Sequence, residues 1–404
     1  MKIIIIGAGP AGLMAAIAAA TAKNEVTVCE QLSQPGRKLL ATGGGKCNLT
    51  NLLPQMEFIK KFGRQGRFML PALASFSRET LCAFFAERDV ATIAEDNFHI
   101  FPTSNSASDI LKVLLNECKK QGVKFNQSAR VIELAIKDNQ ITGVKTDKIT
   151  IDADKVIIAT GGKGYPKLGG HGIGYQLAEQ AGHQIVTPLP AMVGLRTIEQ
   201  WPKECAGISF PKITAFIDLP KLRNRPVYGE LIFTHNGISG LAVIDLAGEI
   251  STLLQKKATI PLKIKLFDKS SVAWNNDFVQ WQQTKRQMKN LLAQQMPTAI
   301  AEIICKISGN ISTKTIHQLK NSEKTALQEQ LDGVTLQINA TEGWSKAMVT
   351  KGGIALKKIN PKTLESRLIS GLYFAGEVVD LHGPCGGYNL QWAFSSGHLA
   401  GQLQ

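Results

Sequence analysis

The chain has 404 residues, more than one hydrophobic core usually supports, so two or three domains are expected. With 44% hydrophobic and 19% charged residues and no low-complexity tract, it reads as soluble and globular, which excludes disordered and fibrous classes. A net charge of +14 admits an anionic ligand or a polyanionic partner. Seven scattered cysteines without a C-x-x-C spacing point to a reducing compartment rather than a disulfide framework or a zinc site.

The first thirty residues organise the rest. The unbroken β-branched run Ile3–Ile6 predicts a strand buried on both faces of a parallel sheet. Gly7, Gly9 and Gly12 follow as G-x-G-x-x-G, and the apolar run Leu13–Ala20 predicts a helix directly after them. Such glycines serve a tight turn, close approach of a pyrophosphate and close helix–strand packing. The helix N-terminus adds free N–H groups and the positive end of the macrodipole. A second strand, Val26–Cys29, leads into Glu30, where an acid can grip ribose hydroxyls. Together these elements predict a dinucleotide-binding unit. Residues 3–22 are uncharged, but three glycines and Pro10 interrupt them, so neither a signal peptide nor a membrane span is expected.

Gly43, Gly44 and Gly45, flanked by Arg37, Lys38, Lys46 and Asn48, predict a cationic loop whose backbone can approach a ligand. Residues 54–95 read as mainly helical, His99–Phe101 as a strand and Ile110–Lys120 as an amphipathic helix. Val123–Phe125, Arg130–Ile136, Ile141–Lys145 and Ile149–Ile151 read as a β-meander turning at Asp138-Asn139 and Thr142-Gly143. Val156–Ala159 reads as a buried strand ending in Thr160, Gly161 and Gly162, small residues that let a backbone lie against a cofactor. The glycine-rich segment 163–183 has the wrong glycine order for a second nucleotide fingerprint, so no separate NAD(P) domain is expected.

From about residue 190 the texture changes. Ile213–Ile217, Glu230–Phe233, Leu241–Leu246 and Ile260–Leu266 read as antiparallel strands, and Val272–Leu331 reads as helical. Lys285, Arg286, Lys289, Lys306, Lys314 and Lys320 are expected to solvate helix faces. The first texture then returns: a strand in GLYFAGEVVD (371–380) ends in Gly376, Glu377 and Asp380, and HGPCGGYNLQWAFSSGHLAG (382–401) starts a glycine-pivoted helix. The expected division is a discontinuous nucleotide-binding domain, residues 1–190 and 342–404. It surrounds an insertion at 191–341 that is β-rich over 191–270 and helical over 271–341.

With the blocks GAGPAG (7–12), PGRKLLATGGGKCNLTN (35–51), ATGGKGYPKLGGHGIGY (159–175), GELIFTHNGISG (229–240) and GLYFAGEVVDLHGPCGGYNLQWAFSSG (371–397) in view, the sequence resembles the YhiN/BaiN-like, aminoacetone-oxidase-family FAD-dependent oxidoreductases over nearly its whole length. The family usually has arginine where this chain has Lys46, which keeps the charge and loses a bidentate contact. The resemblance implies an α/β fold: a doubly wound, Rossmann-like, discontinuous FAD-binding domain with an inserted antiparallel-β plus helical domain. It implies that Gly7, Gly9, Ala11 and Gly12 hold the pyrophosphate and Glu30 the adenosine ribose. Arg37, Lys38, Gly43, Gly44, Gly45, Lys46 and Asn48 would line the pyrophosphate and ribityl side. The backbone of Arg130 and Val131 would meet the adenine, and Thr160 and Gly161 would strap the diphosphate. Gly376, Glu377 and Asp380 would face the ribityl chain and pyrophosphate. Gly387, Tyr388, Asn389 and Leu390 would aim N–H groups at flavin N1 and O2, where reduction places negative charge. Pro10, Gln31, Thr42, Cys47, Gly162 and Gly386 are counted with these as cofactor contacts.

The expected activity is hydride transfer between a small organic substrate and flavin N5, either amine-oxidase-like or as an enone-type reductase fed by NAD(P)H. Alternatives are a flavoprotein that engages nucleic acid through its basic helical insertion, and an FAD-holding sensor without turnover. His235 is the one catalytic candidate, set against a structural turn role. Cys47 and Cys385 read as small thiols in tight backbone rather than a redox pair. His171, His382 and Tyr165 read as structural loop residues, and Trp344 and Trp392 as packing residues. No metal, no membrane contact and no nucleic acid are expected, and a cytoplasmic location is.

Overall fold

The computed structural model describes residues 1–403, which form two compact units: residues 1–190 with 348 onward, and residues 191–347. The first is built on a five-stranded parallel sheet in the order Leu372–Phe374, Lys155–Ile158, Lys2–Ile6, Glu25–Glu30, Lys124–Gln127. Ile3, Ile4, Ile5 and Ile6 pair with Lys155–Ile158 on one side and with Val26–Cys29 on the other, so the strand is buried on both faces. Its outermost member corrects the expected meander. Lys124–Gln127 pairs in parallel with Thr27–Glu30 at the edge of the main sheet, because the helix Ala107–Lys120 before it makes a crossover that returns the chain in the same direction. Only Val131–Lys137, Gln140–Thr146 and Thr150–Asp152 form the meander. Asp138 and Asn139, both at positive φ, make its first turn as expected, whereas Thr142-Gly143 lies inside a strand. The stretch 54–95 holds helices at Gln55–Lys60, Leu70–Ser75 and Arg78–Ala86, but ends in a strand, Thr92–Glu95.

Two helices meet on the sheet. Pro10–Thr21 carries Ala11, Ala15 and Ala18, and Tyr388–Gly401 carries Gly397 and Gly401. A Cβ on Gly397 would stand 2.2 Å from the Ala11 carbonyl oxygen, and one on Gly401 would stand 2.5 Å from that of Ala15. Small residues on both faces thus bring the first and last helices of the chain into backbone contact.

The second unit holds a closed six-stranded antiparallel barrel. Its strand order is Leu195–Thr197, Gly237–Ser239, Val227–Thr234, Ser209–Ile217, Ile260–Lys265, Val334–Thr341. Two expectations change here. Leu241–Leu246, read as a strand, is the start of the helix Leu241–Leu254. Its short apolar run continues as a period near 3.6 that buries Ala242, Val243, Leu246, Ala247 and Ile250. The barrel is closed by Val334–Thr341, which lies in the stretch read as helical and pairs with Ile260–Ile264. Helices Ser271–Trp281, Met288–Leu292, Thr298–Ile307 and Asn321–Asp332 follow the fifth barrel strand and share the barrel's core. Among the described residues, no helix is long and apolar enough to cross a membrane.

Candidate functional site

The site begins where the first strand hands over to the first helix. Gly7 takes φ +102, and a Cβ on Gly12 would stand 1.9 Å from the Gly7 oxygen, so the helix can start this close to the turn only with glycine there. Pro10 occupies the first helical position, and no side chain caps the N-terminus. Glu30 is buried, its Oε2 accepting the Ala8 N–H at 2.8 Å and its Oε1 the Leu32 N–H at 2.9 Å. Two of the carboxylate's lone-pair positions are thereby fixed, and two stay available to hydroxyl donors. The backbone of 128–130 is tied to the same place: the N–H groups of Ser128 and Ala129 donate to the Leu32 and Glu30 carbonyls, and that of Arg130 to Asp147 Oδ1. Gln31 donates from Nε2 to the Gly169 carbonyl at 2.8 Å, drawing the 163–172 loop to the same edge.

The second and third blocks converge on the C-terminal one. Arg37 and Lys38 open a short helix, Arg37–Leu40, in which Arg37 is exposed and Lys38 Nζ lies 2.7 Å from Glu377 Oε2. Glu377 Oε1 accepts the Thr350 N–H at 2.8 Å, while Thr350 Oγ1 accepts that of Lys163 at the same distance. Gly162 sits against both, since a Cβ there would meet Thr350 Oγ1 at 2.2 Å and Glu377 Oε1 at 2.6 Å. The turn Thr42–Gly45 is held by Thr42 Oγ1 donating to the Leu39 carbonyl, and Lys46 lies 3.8 Å from Glu95 and over the Phe101 ring. Cys47 is buried at φ +64, and burial pushes its thiol up to about 12. Asn48, with its amide turned so that both ends are satisfied, accepts the Gly387 N–H at 3.1 Å and donates to Thr50 and Ile100 carbonyls. Asn51 Nδ2 donates to the Gly386 carbonyl at 2.7 Å.

The C-terminal block is knit by its own side chains as well. Asn389 accepts the Gly383 N–H at 2.8 Å and donates to the carbonyls of Gly383 and Pro384. The Tyr388 ring packs on Phe58 with centroids 4.8 Å apart, Leu390 is half-buried, and Asp380 accepts from Gln65 Nε2 at 2.9 Å. Gly376 is pinned between the two ends of the chain: its N–H donates to Ser396 Oγ, its carbonyl accepts from Trp392 Nε1, and a Cβ on it would meet that of Ala11 at 2.8 Å.

These residues fit an extended diphosphate ligand. Cβ positions on Gly9, Gly44 and Gly161 meet nothing within 4 Å, so three glycine backbones from separate blocks face open space. Thr160, the residue before Gly161, has a buried Oγ1 with no hydrogen-bond partner, close against Gly174. The helix starts at Pro10 and Tyr388 both lack a side-chain cap. A family model described as the HI0933-like protein Rossmann domain matches residues 1–403. The chain belongs to that family. The ribosomal RNA dihydrouridine synthase of Escherichia coli K12 is 32% identical over 406 residues, covering 99% of this chain and 96% of that protein. The 3-dehydro-bile acid delta(4,6)-reductase of Clostridium scindens is 32% identical over 409 residues, covering 99% and 98%. The open form of a flavocytochrome c3 fumarate reductase has the same fold, with TM-score 0.52 and 16% identity over 100% of this chain and 77% of that one. The HI0933-like chain is an FAD-dependent oxidoreductase, and its parallel-sheet unit is a Rossmann-type FAD-binding domain.

The other candidates fall differently. His235 lies in the barrel unit, exposed on the turn between Val227–Thr234 and Gly237–Ser239. Neither Cys47 nor Cys385 is in a disulfide, and His171 is exposed. His382 is largely buried, which with nearby Lys351 pushes it down to about 4, so it is neutral at pH 7. Sequence reasoning missed Asn51 and Thr350, whose roles depend on partners far along the chain. It also missed His99: Nδ1 lies 2.8 Å from Asp96 Oδ2, and Nε2 lies 3.3 Å from the Cβ position of Gly386. A carboxylate three residues before a histidine was the available signal.

Proposed function

We propose that this enzyme saturates a carbon–carbon double bond conjugated to a carbonyl, with NAD(P)H as the electron source. The observation that carries the reading is the single cradle built from both ends of the chain, in a family where two full-length relatives are named for one kind of reduction. A dihydrouridine synthase saturates the C=C conjugated to a uracil carbonyl, and a delta(4,6)-reductase saturates alkenes of a 3-oxo steroid. FAD, when bound, would supply the hydride. The turn Gly7–Gly12 and the strap Thr160-Gly161 would hold its pyrophosphate, and Glu30 its adenosine ribose. Lys38 and Glu377 would flank the ribityl side, and the positive end of the helix that starts at Tyr388 would offset charge on the pyrimidine edge.

Adding hydride to one carbon requires a proton for the other, so a donor is needed beside the cradle. His99 suits that role, because Asp96 fixes its Nδ1–H and leaves Nε2 next to Gly386. The test is anaerobic: NADH or NADPH should bleach the yellow band, and a 3-oxo-4,6-diene steroid or a uridine-containing RNA should restore it. His99→Ala should slow restoration about 100-fold and leave bleaching unchanged. Bleaching by amines, with no restoration by any conjugated alkene, would replace the reading with amine oxidation.

A further inference from the structure

Between Glu57 and Glu79 the chain carries Lys60, Lys61, Arg64, Arg67 and Arg78 and no acidic residue. Lys60 pairs with Glu57 and Arg78 with Glu79. The side chains of Lys61, Arg64 and Arg67 are exposed and make no hydrogen bond or ion pair with any described residue. Lys61 caps the C-terminus of the helix Gln55–Lys60, and Arg64 and Arg67 lie in the 3-10 turn Gly63–Met69 that follows it. Arg64 and Arg67 stand three residues apart in that turn, on one side and about 6 Å apart along its axis. That separation is comparable to the distance between successive phosphates of a nucleic-acid strand.

The segment is fastened to the cofactor block. The Phe62 ring lies 6.1 Å from that of Tyr388, and a Cβ on Gly383 would meet Phe62 Cζ at 2.8 Å. Gln65, between the two arginines, donates to Asp380. A Cβ on Gly66 would stand 1.9 Å from the Ile59 oxygen, so the turn is folded tightly back on the preceding helix. Three uncompensated cations are thus held on a rigid support beside the 380–388 loop. The uncharged alkene offers such cations no partner, whereas a phosphodiester chain offers one phosphate to each.

We propose that Lys61, Arg64 and Arg67 form a docking surface for the phosphate backbone of RNA, which presents a base of that strand to the site. This deepens the alkene-reductase reading and rests on it for the identity of the reacting base. Phosphate contacts fix position without reading sequence, and they release counterions, so affinity must fall steeply with salt.

The test uses FAD-loaded full-length protein and a fluorescein-labelled, uridine-containing single-stranded RNA of 20 nucleotides, followed by anisotropy from 50 to 200 mM salt. Wild type should bind with affinity falling as salt rises. Lys61→Gln/Arg64→Gln/Arg67→Gln should bind at least about tenfold more weakly at 50 mM and lower the log–log salt slope by about 2. Its flavin content and its reoxidation by the steroid diene should match wild type, which shows that it folds. Lys256→Gln/Lys257→Gln, an exposed pair on the barrel unit, controls for net charge and should bind like wild type. No RNA binding at 50 mM overturns the proposal, as do equal binding by the triple variant, equal loss in the control pair, or binding to anionic phospholipid vesicles and not RNA. In each of those cases, reoxidation by the steroid diene leaves the alkene-reductase reading standing. RNA binding lost in the triple variant, with no alkene reoxidising the flavin, supports the surface and sinks the reaction instead.

Discussion

The two glycine blocks that build the cradle achieve it in opposite ways. At the N-terminal turn, most of the geometry is local: Gly12 and Pro10 shape the helix start, the distant Ala159 oxygen lies 2.7 Å from the Cβ position of Gly7, and the Cβ position of Gly9 is empty. At the C-terminal block the backbone is already engaged by distant residues. Asn48 takes the Gly387 N–H, Asn51 the Gly386 carbonyl, and a Cβ on Gly387 would lie 2.5 Å from the Thr50 oxygen. One end offers unclaimed donors to a ligand; the other is held in place before any ligand arrives. Preorganisation at the second block costs nothing at the moment of binding, and it makes that block sensitive to changes some 340 residues earlier in the chain, on the order expected when one hydrogen-bonded network spans both ends.

The largest expected effect tests the first block. Gly12→Ala forces a carbon against the Gly7 carbonyl and should destabilise the fold by about 3 kcal/mol, seen as a lowered urea midpoint. Gly9→Ala meets no protein atom, so its urea midpoint should match wild type while FAD affinity falls at least about tenfold. Equal destabilisation by both would mean that Gly9 does not face a ligand. At the second block, Asn48→Ala leaves the Gly387 N–H without its partner and should cost about 1–3 kcal/mol. It should also shift the flavin potential, measured against a reference dye; a variant that loses stability without moving the potential would separate the block from the flavin.

The smallest effect concerns acid. His382 and His183 are both pushed down to about 4, chiefly by burial. Unfolded histidine titrates near 6.5, so from about pH 6.5 down to about 4 the unfolded state binds more protons and stability declines as pH falls. Above that window these residues contribute no slope. The decline should be about 1 kcal/mol or more for each histidine, and His183→Gln should remove part of it in pH-dependent urea melts. His183 is buried with Nε2 2.7 Å from Ser366 Oγ, well apart in sequence from either glycine block. A pH slope unchanged in that variant would leave the acid response to the remaining groups, His382 in the second block first among them.

What the sequence by itself determined was whatever is written in neighbouring residues. An uncharged β-branched run, glycines at fixed spacing and an acid ending the second strand leave one physical arrangement for the first thirty residues, and the matching glycine textures near both ends of the chain marked a divided domain. Short windows failed where two structures share a pattern: Leu241–Leu246 satisfies a strand until its period is followed to Leu254, and Lys124–Gln127 could pair on either of two sheets. Only the tertiary structure decided which partners each block meets. Asn48 to Gly387, Lys38 to Glu377 and His99 to Gly386 are contacts between residues hundreds of positions apart, created by the packing of the first helix on the last. Side-chain chemistry is encoded locally, but which donor faces which acceptor is set by how small residues on two distant helices allow their backbones to touch.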